Sequence, residues 1–274
     1  MAYAKINSIT NANMAKVNNA AKAALGKIAN IDAPSAVFSN TKSIDFDGTD
    51  DFLVSTADLD GAVMNRRTKS FSFWWKSSNE GTGSNNYILT FGAGAMAIQI
   101  TYGDIEVWHN THWPSFAVHH SHRSAYLDTG NWHHIVFTVS CPGGINTEAV
   151  HKVYVDAVEK ASSTYTRNQT DYATGKFSIG ASAAGGAPIE AQIDEVGWWD
   201  NVALDADAIT ALYNSGEPID LSTDSGNYDN SSALVHWWRM GDGDTYPTIE
   251  DNEGSLDLTM TNMVSGDIEE DVPS

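Results

Sequence analysis

The chain has 274 residues, a formal charge of −20 and 42% apolar residues, enough for one large all-β domain with appendages. So acidic a surface repels phosphate backbones, which excludes nucleic acid as a partner. No apolar run approaches the roughly 18 to 20 residues that cross a bilayer, so no membrane insertion is expected.

The lone Cys141 excludes an intrachain disulfide, and the stretch after Met1 lacks the apolar core of an export signal. Together these point to folding in a reducing cytoplasm. Charge is unevenly spread: Lys5, Lys16, Lys22 and Lys27 face a single acid, Asp32, before residue 36, whereas Arg239 is the only base after residue 190. Within residues 1–31, Lys5-Ile6-Asn7, Lys16-Val17-Asn18 and Lys27-Ile28 recur at intervals of eleven. In a helix this spacing puts Ile6, Ile9, Met14, Val17, Leu25 and Ile28 on one stripe. The stripe has nothing to cover within the segment. Residues 1–35 are therefore expected to be an assembly arm and linker that docks on another chain, helical or extended; a partly ordered leader is the plainer alternative.

From residue 36 to about 220 short apolar runs alternate with Gly, Asn, Asp and Ser turns, the pattern of a sandwich. Ser43–Val54 reads as two alternating runs joined by a carboxylate-rich Gly turn, a hairpin, and Gln192–Asp200 as its partner, so that the first and last core strands come together. Phe71, Phe73 and Trp75 alternate on one strand. His133–Val139 is another, and Lys152–Glu159 reads as a hairpin whose Asp156-Ala157 replaces the favoured Asp-Gly, so a less usual turn is expected. One short helix is expected near 205–214: Asp205 caps it, Ile209, Leu212 and Tyr213 form its apolar stripe, and Asn214-Ser215-Gly216 stops it. Its expected role is to cover an edge or end of the sandwich. Residues 221–274 form an acidic C-terminal extension, in which Ala233–Met240 and Leu256–Thr261 read as a strand pair packing on the sandwich or a neighbour, with a charged tail from Asp267.

In this order, Ile44-Asp45-Phe46-Asp47-Gly48, Phe71-Ser72-Phe73-Trp74-Trp75, Gly130-Asn131-Trp132-His133-His134, Tyr154-Val155-Asp156, Ile193-Asp194-Glu195-Val196 and Ala211-Leu212-Tyr213-Asn214 resemble the laminin-G-like, or concanavalin A-like, jelly roll. The resemblance spans residues 36–216. It implies two antiparallel sheets around one core, often a structural calcium, and glycan or protein binding at the loop rim. The flanks, Lys5–Ile31 and Trp237–Asp244, are similar to those of virion structural proteins of marine tailed phages. That likeness implies a capsid decoration, head fibre or tail component, assembled in the host cytoplasm, homo-oligomeric, and attached to other virion proteins through residues 1–31. The alternative is a host-attachment protein that binds or cleaves carbohydrate.

Glucanases of this superfamily carry carboxylates alternating on one strand; no such run is present. Asp194 and Glu195 are adjacent and should point to opposite faces, which argues against an enzyme. Asp47, Asp50 and Asp51 lie in one turn, and the jelly roll would bring Asp194 to them, a candidate calcium set; capping of the turn by the same side chains is the alternative. Trp108, His112, Trp113 and Tyr126 are candidates for stacking on a host-surface glycan, with core or interface packing as the plainer reading. His109, His112, His119, His120 and His122 crowd one segment without a cysteine, which favours a polar loop over zinc.

Overall fold

Along Lys69–Ser77 (β3), Phe71, Phe73 and Trp75 alternate with Ser70, Ser72 and Trp74. The first set lies in the core between two sheets, as a period of two requires. The computed structural model describes residues 38–59, 68–77, 86–92, 96–101, 104–109, 130–143, 148–166 and 175–274. Residues 40–274 form one compact unit. The segment expected to be an assembly arm, with Ile6, Ile9, Met14, Val17, Leu25 and Ile28, lies outside the described residues.

Besides β3, the strands are β1 (Ser43–Asp47), β2 (Phe52–Asp58), β4 (Asn86–Phe91), β5 (Met96–Thr101), β6 (Asp104–His109), β7 (His133–Ser140), β8 (Glu148–Val155), β9 (Val158–Thr166), β10 (Lys176–Ile179), β11 (Glu190–Asp200), β12 (Leu234–Trp238), β13 (Thr248–Ile249), β14 (Leu258–Thr261) and β15 (Ile268–Glu269). One sheet runs β15-β1-β11-β3-β7-β8-β9, with β12 also on β11; the other runs β13-β14-β2-β10-β4-β5-β6. The architecture is the expected all-β jelly roll of two antiparallel sheets. Its centre is aromatic: Phe71 packs on Phe91 at 4.7 Å between ring centroids, and Phe91 on Phe177 at 5.0 Å.

The longest strand, β11, organises one sheet. One of its sides pairs with β3, while along the other β1 pairs with residues 190–193 and β12 with residues 196–199. The start of β1 and the end of β12 therefore meet beside Asp194 and Glu195. The expected union of Ser43–Asp47 with β11 is present. The expected hairpin of Ser43–Val54 is not: β1 and β2 lie in opposite sheets, so the Gly48 turn is a corner between them. Alternation in each run suits either arrangement, and pairing of β1 with β11 and of β2 with β10 and β14 selects the corner.

The two C-terminal runs do not pair with each other either. β12 joins β11 and β14 joins β2, so each extends a different sheet, and Trp238 stacks on Phe177 at 4.8 Å in the core. A two-stranded unit alone buries too little to be stable, whereas these strands complete both sheets. The acidic tail is likewise engaged. β15 pairs with β1, and the Asp271 carboxylate accepts hydrogen bonds from Lys76 and, at 3.1 Å, from the Trp132 indole N–H.

Helix α1 (Ala206–Tyr213) starts where Asp205 accepts a hydrogen bond from the Ala208 amide at 2.9 Å and ends at Asn214 in the left-handed region. It covers the outer face of the larger sheet instead of an edge or end: Tyr213 stacks on Trp74 and His134 at 6.0 and 6.3 Å. At the β8–β9 hairpin, Asp156 and Ala157 have φ of 50° and 63°. Both positive values belong to the usual two-residue hairpin turn, not the less usual one expected. The Asp156 carboxylate holds it, accepting from the His134 amide at 2.9 Å while lying 2.7 Å from His133 Nδ1.

Candidate functional site

Two carboxylate clusters lie at opposite ends of β1. The first is the corner after it. Gly48 has φ of 75°, and a Cβ there would lie 2.8 Å from the Glu190 Cβ, so both conformation and space call for glycine. Asp47 Oδ1 accepts from the Thr49 and Asp50 amides at 2.7 and 3.4 Å, and Asp51 Oδ2 from the Asp47 amide at 3.2 Å. Carboxylate oxygens of Asp47, Asp50 and Asp51 lie within 4.8 Å of one another. Burial pushes the Asp51 carboxyl up to about 6; the Asp47 amide opposes this, and the carboxylates of Asp47, Asp267 and Asp50 reinforce it. The turn is thus capped by its own side chains. Asp47 and Asp51 each still have an oxygen with no hydrogen-bond partner among the described residues. An all-oxygen donor set with excess negative charge fits the chemistry of calcium, which takes six to eight such ligands.

Asp194 is not part of this corner. Asp47 pairs with Glu190 and Ile44 with Ile193, so Asp194 stands beyond the other end of β1, roughly 13 Å away at about 3.3 Å per residue. The calcium set expected from the sequence therefore contains three residues, not four. The register of the antiparallel pair separates the fourth.

Asp194 belongs to the second cluster, where β1 and β12 meet. Pairing of β11 with β3 shifts between Asp194 and Gly197, and Glu195 has φ of 47°, the mark of a bulge. The bulge cancels the alternation expected of adjacent residues, leaving both carboxylates buried, 0% and 3% exposed. Every oxygen of the pair is engaged. Asp194 accepts from Asn40 Nδ2 at 2.7 Å and from the Glu195 amide at 2.8 Å. Glu195 accepts from the Trp237 indole N–H at 2.6 Å and from Arg239 Nε at 3.2 Å. Arg239 Nη2 also reaches Asp242 at 3.2 Å, and Asp242 accepts from the Thr41 amide at 2.8 Å. Burial raises both carboxyls; the Glu195 charge further raises Asp194, while Arg239 lowers Glu195.

A third polar centre had no sequence signal beyond the isolated residues. The Asp251 carboxylate lies 2.6 Å from His236 Nδ1 and accepts from the amides of Trp237, Gly254 and Leu256 at 3.0, 2.9 and 2.9 Å. A Cβ at Gly254 would fall 2.4 Å from Asp251 Oδ2, so glycine admits the pair. His236 lies between Trp198 and Trp238, 5.0 and 5.4 Å from their rings. The hydrogen bonds make Asp251 the organiser of the 250–256 loop. Among the glycan candidates, Trp108 lies on edge strand β6 opposite Ala97; His112, Trp113 and Tyr126 fall outside the described residues, as do His119, His120 and His122.

The family model of the concanavalin A-like lectin/glucanases superfamily matches residues 47–210. No curated protein matches the chain. Among solved structures, a native heptameric SAP-like pentraxin from Limulus polyphemus aligns with a TM-score of 0.53 and 13% identity, over 84% of this chain and 100% of that one. The receptor-binding domain of a botulinum neurotoxin mosaic serotype C/D aligns at 0.48 and 18% identity, over 66% of this chain and 43% of that one. Domain 4 of AbnA, an extracellular arabinanase from Geobacillus stearothermophilus in complex with arabinotriose, aligns at 0.42 and 23% identity, over 57% and 70%. At 13% identity the likeness to the pentraxin is one of fold.

Proposed function

Because the chain belongs to the concanavalin A-like lectin/glucanases superfamily, we propose that it is a non-catalytic, lectin-type binding module displayed on a phage particle. In this reading residues 1–31 attach it to other virion proteins, the sandwich meets neighbouring subunits or a host-surface glycan, and the Asp47–Asp50–Asp51 corner takes calcium. One observation carries the non-catalytic part. Glycoside hydrolysis needs two carboxyl groups facing the scissile bond, one to protonate it and one to attack or to activate water. The Asp194–Glu195 pair is buried, with all four oxygens accepting hydrogen bonds, which supports a structural role. The virion part is supported by the eleven-residue repeat and by the likeness of the flanks.

The test is an array of host-surface polysaccharides, read with and without calcium, together with an assay for new reducing ends. Calcium-dependent binding without cleavage is expected. Released sugar ends would overturn the non-catalytic reading, and absence of binding at millimolar glycan would remove the lectin role. Incorporation of a protein lacking residues 1–31 into particles would remove the anchoring role.

A further inference from the structure

The superfamily resemblance places Asp194 among calcium ligands, yet its surroundings are already closed around a different cation. Three carboxylates, Asp194, Glu195 and Asp242, gather where the start of β1 meets the end of β12, and Arg239 bridges two of them, 3.2 Å from Glu195 and 3.2 Å from Asp242. The guanidinium carbon lies 5.5 Å from the Trp237 ring centroid, so the indole that donates to Glu195 also backs the cation. Two backbone features fit this closure: Glu195 and Met240 are both held at positive φ, 47° and 52°, a costly conformation for such residues. The bulge sets Glu195 against Trp237 and Arg239, and the Met240 turn sets Arg239 and Asp242 on either side. Asn40 Oδ1 is buried beside the cluster and accepts no hydrogen bond. A divalent ion that prefers oxygen would need the same carboxylate oxygens that Arg239, Trp237 and Asn40 now occupy.

We propose that the Arg239 guanidinium is the resident cation of a site shaped for a divalent ion, so that the Asp194–Glu195–Asp242 cluster takes calcium only when Arg239 is removed. Arginine suits the task because its planar fork reaches two carboxylates at once and keeps its charge when buried. The inference goes beyond the proposed glycan and virion roles and does not depend on them.

The experiment uses the full chain carrying Asp50→Asn, which disables the corner site, with and without Arg239→Met; the methionine retains an apolar stem over Trp237. Thermal unfolding is followed with calcium or with chelator at matched ionic strength. The Asp50→Asn protein is expected to show the same Tm in both. The double variant is expected to start lower and to gain about 5 to 10 °C at calcium roughly 100-fold above its Kd, a gain lost on adding Asp194→Asn. Should Arg239→Met fail to fold without calcium, recovery of near-ultraviolet circular dichroism on adding calcium supports the proposal as well. A calcium response of the Asp50→Asn protein that disappears with Asp194→Asn would overturn it, and so would an Arg239→Met protein, or its Arg239→Gln counterpart, that gives no calcium response or none that depends on Asp194.

Discussion

His134 illustrates how a single side chain can make the fold sensitive to acid. Its Nε2 lies 2.6 Å from the Ser72 hydroxyl, while its Nδ1 is buried with no partner. With the proton on Nε2, Nδ1 presents only a lone pair; a second proton would add a buried donor with nothing to receive it. Burial therefore lowers its pKa to about 4, with the Asp156 carboxylate opposing the shift. Below an unfolded value of about 6.5 the unfolded chain binds the proton and the folded one does not, so stability falls as pH drops from there toward 4. Between pH 7 and 4.5 this amounts to about 2 to 3 kcal/mol. Asp194 and Glu195, whose carboxyls are raised, act in the opposite sense and gain stability in acid. Comparing His134→Gln with the parent at each pH cancels them. Urea unfolding should show the variant losing about 2 to 3 kcal/mol less over that range; equal losses would sink this account.

Elements show where the local pattern carries the fold and where it does not. Phe71, Phe73 and Trp75 reveal their strand because alternation alone decides which face is buried, and Asp205 reveals its helix because capping is a contact between near neighbours. Pairing partners are a different matter. β1 and β2 alternate as a hairpin would, yet enter separate sheets, and the Glu195 bulge reverses the face that alternation assigns because a single added residue shifts the register. The calcium set failed at Asp194 for the same reason: its position depends on register across more than 140 residues of intervening chain. The β8–β9 turn gives an element-scale prediction. Ala157 sits at φ of 63°, where an L-residue with a Cβ is strained by roughly 1 to 2 kcal/mol, and Ala157→Gly relieves that strain against about 0.4 to 1 kcal/mol of added freedom in the unfolded chain. A Tm rise of about 1 to 4 °C is expected. Asp156→Gly should lower the Tm instead, because it removes the acceptor of the His134 amide and the partner of His133. A Tm fall for the first variant would show that strain does not govern this turn, and a rise for the second that the Asp156 hydrogen bonds do not hold it.

At the scale of the whole molecule, the sandwich is closed by chain segments far apart in sequence. Asn40 and Thr41 enter beside Asp194 and Asp242, β12 and β14 extend different sheets, and β15 with Asp271 ties the end of the chain to β1, Lys76 and Trp132. The boundary of the independently folding unit should therefore fall just before Asn40, not at the first strand. A chain beginning at Phe38 keeps every one of these ties and is the reference for a shorter one. A chain beginning at Ser43 loses the Asn40 bond to Asp194 and the Thr41 bonds to Asp242. Hydrogen bonds to charged groups contribute about 1.5 to 3 kcal/mol each, and the Asp194 carboxylate left behind is buried, so its Tm should fall by roughly 5 °C or more. Equal Tm values for the two truncated chains would mean that the Arg239 cluster closes without the entering segment.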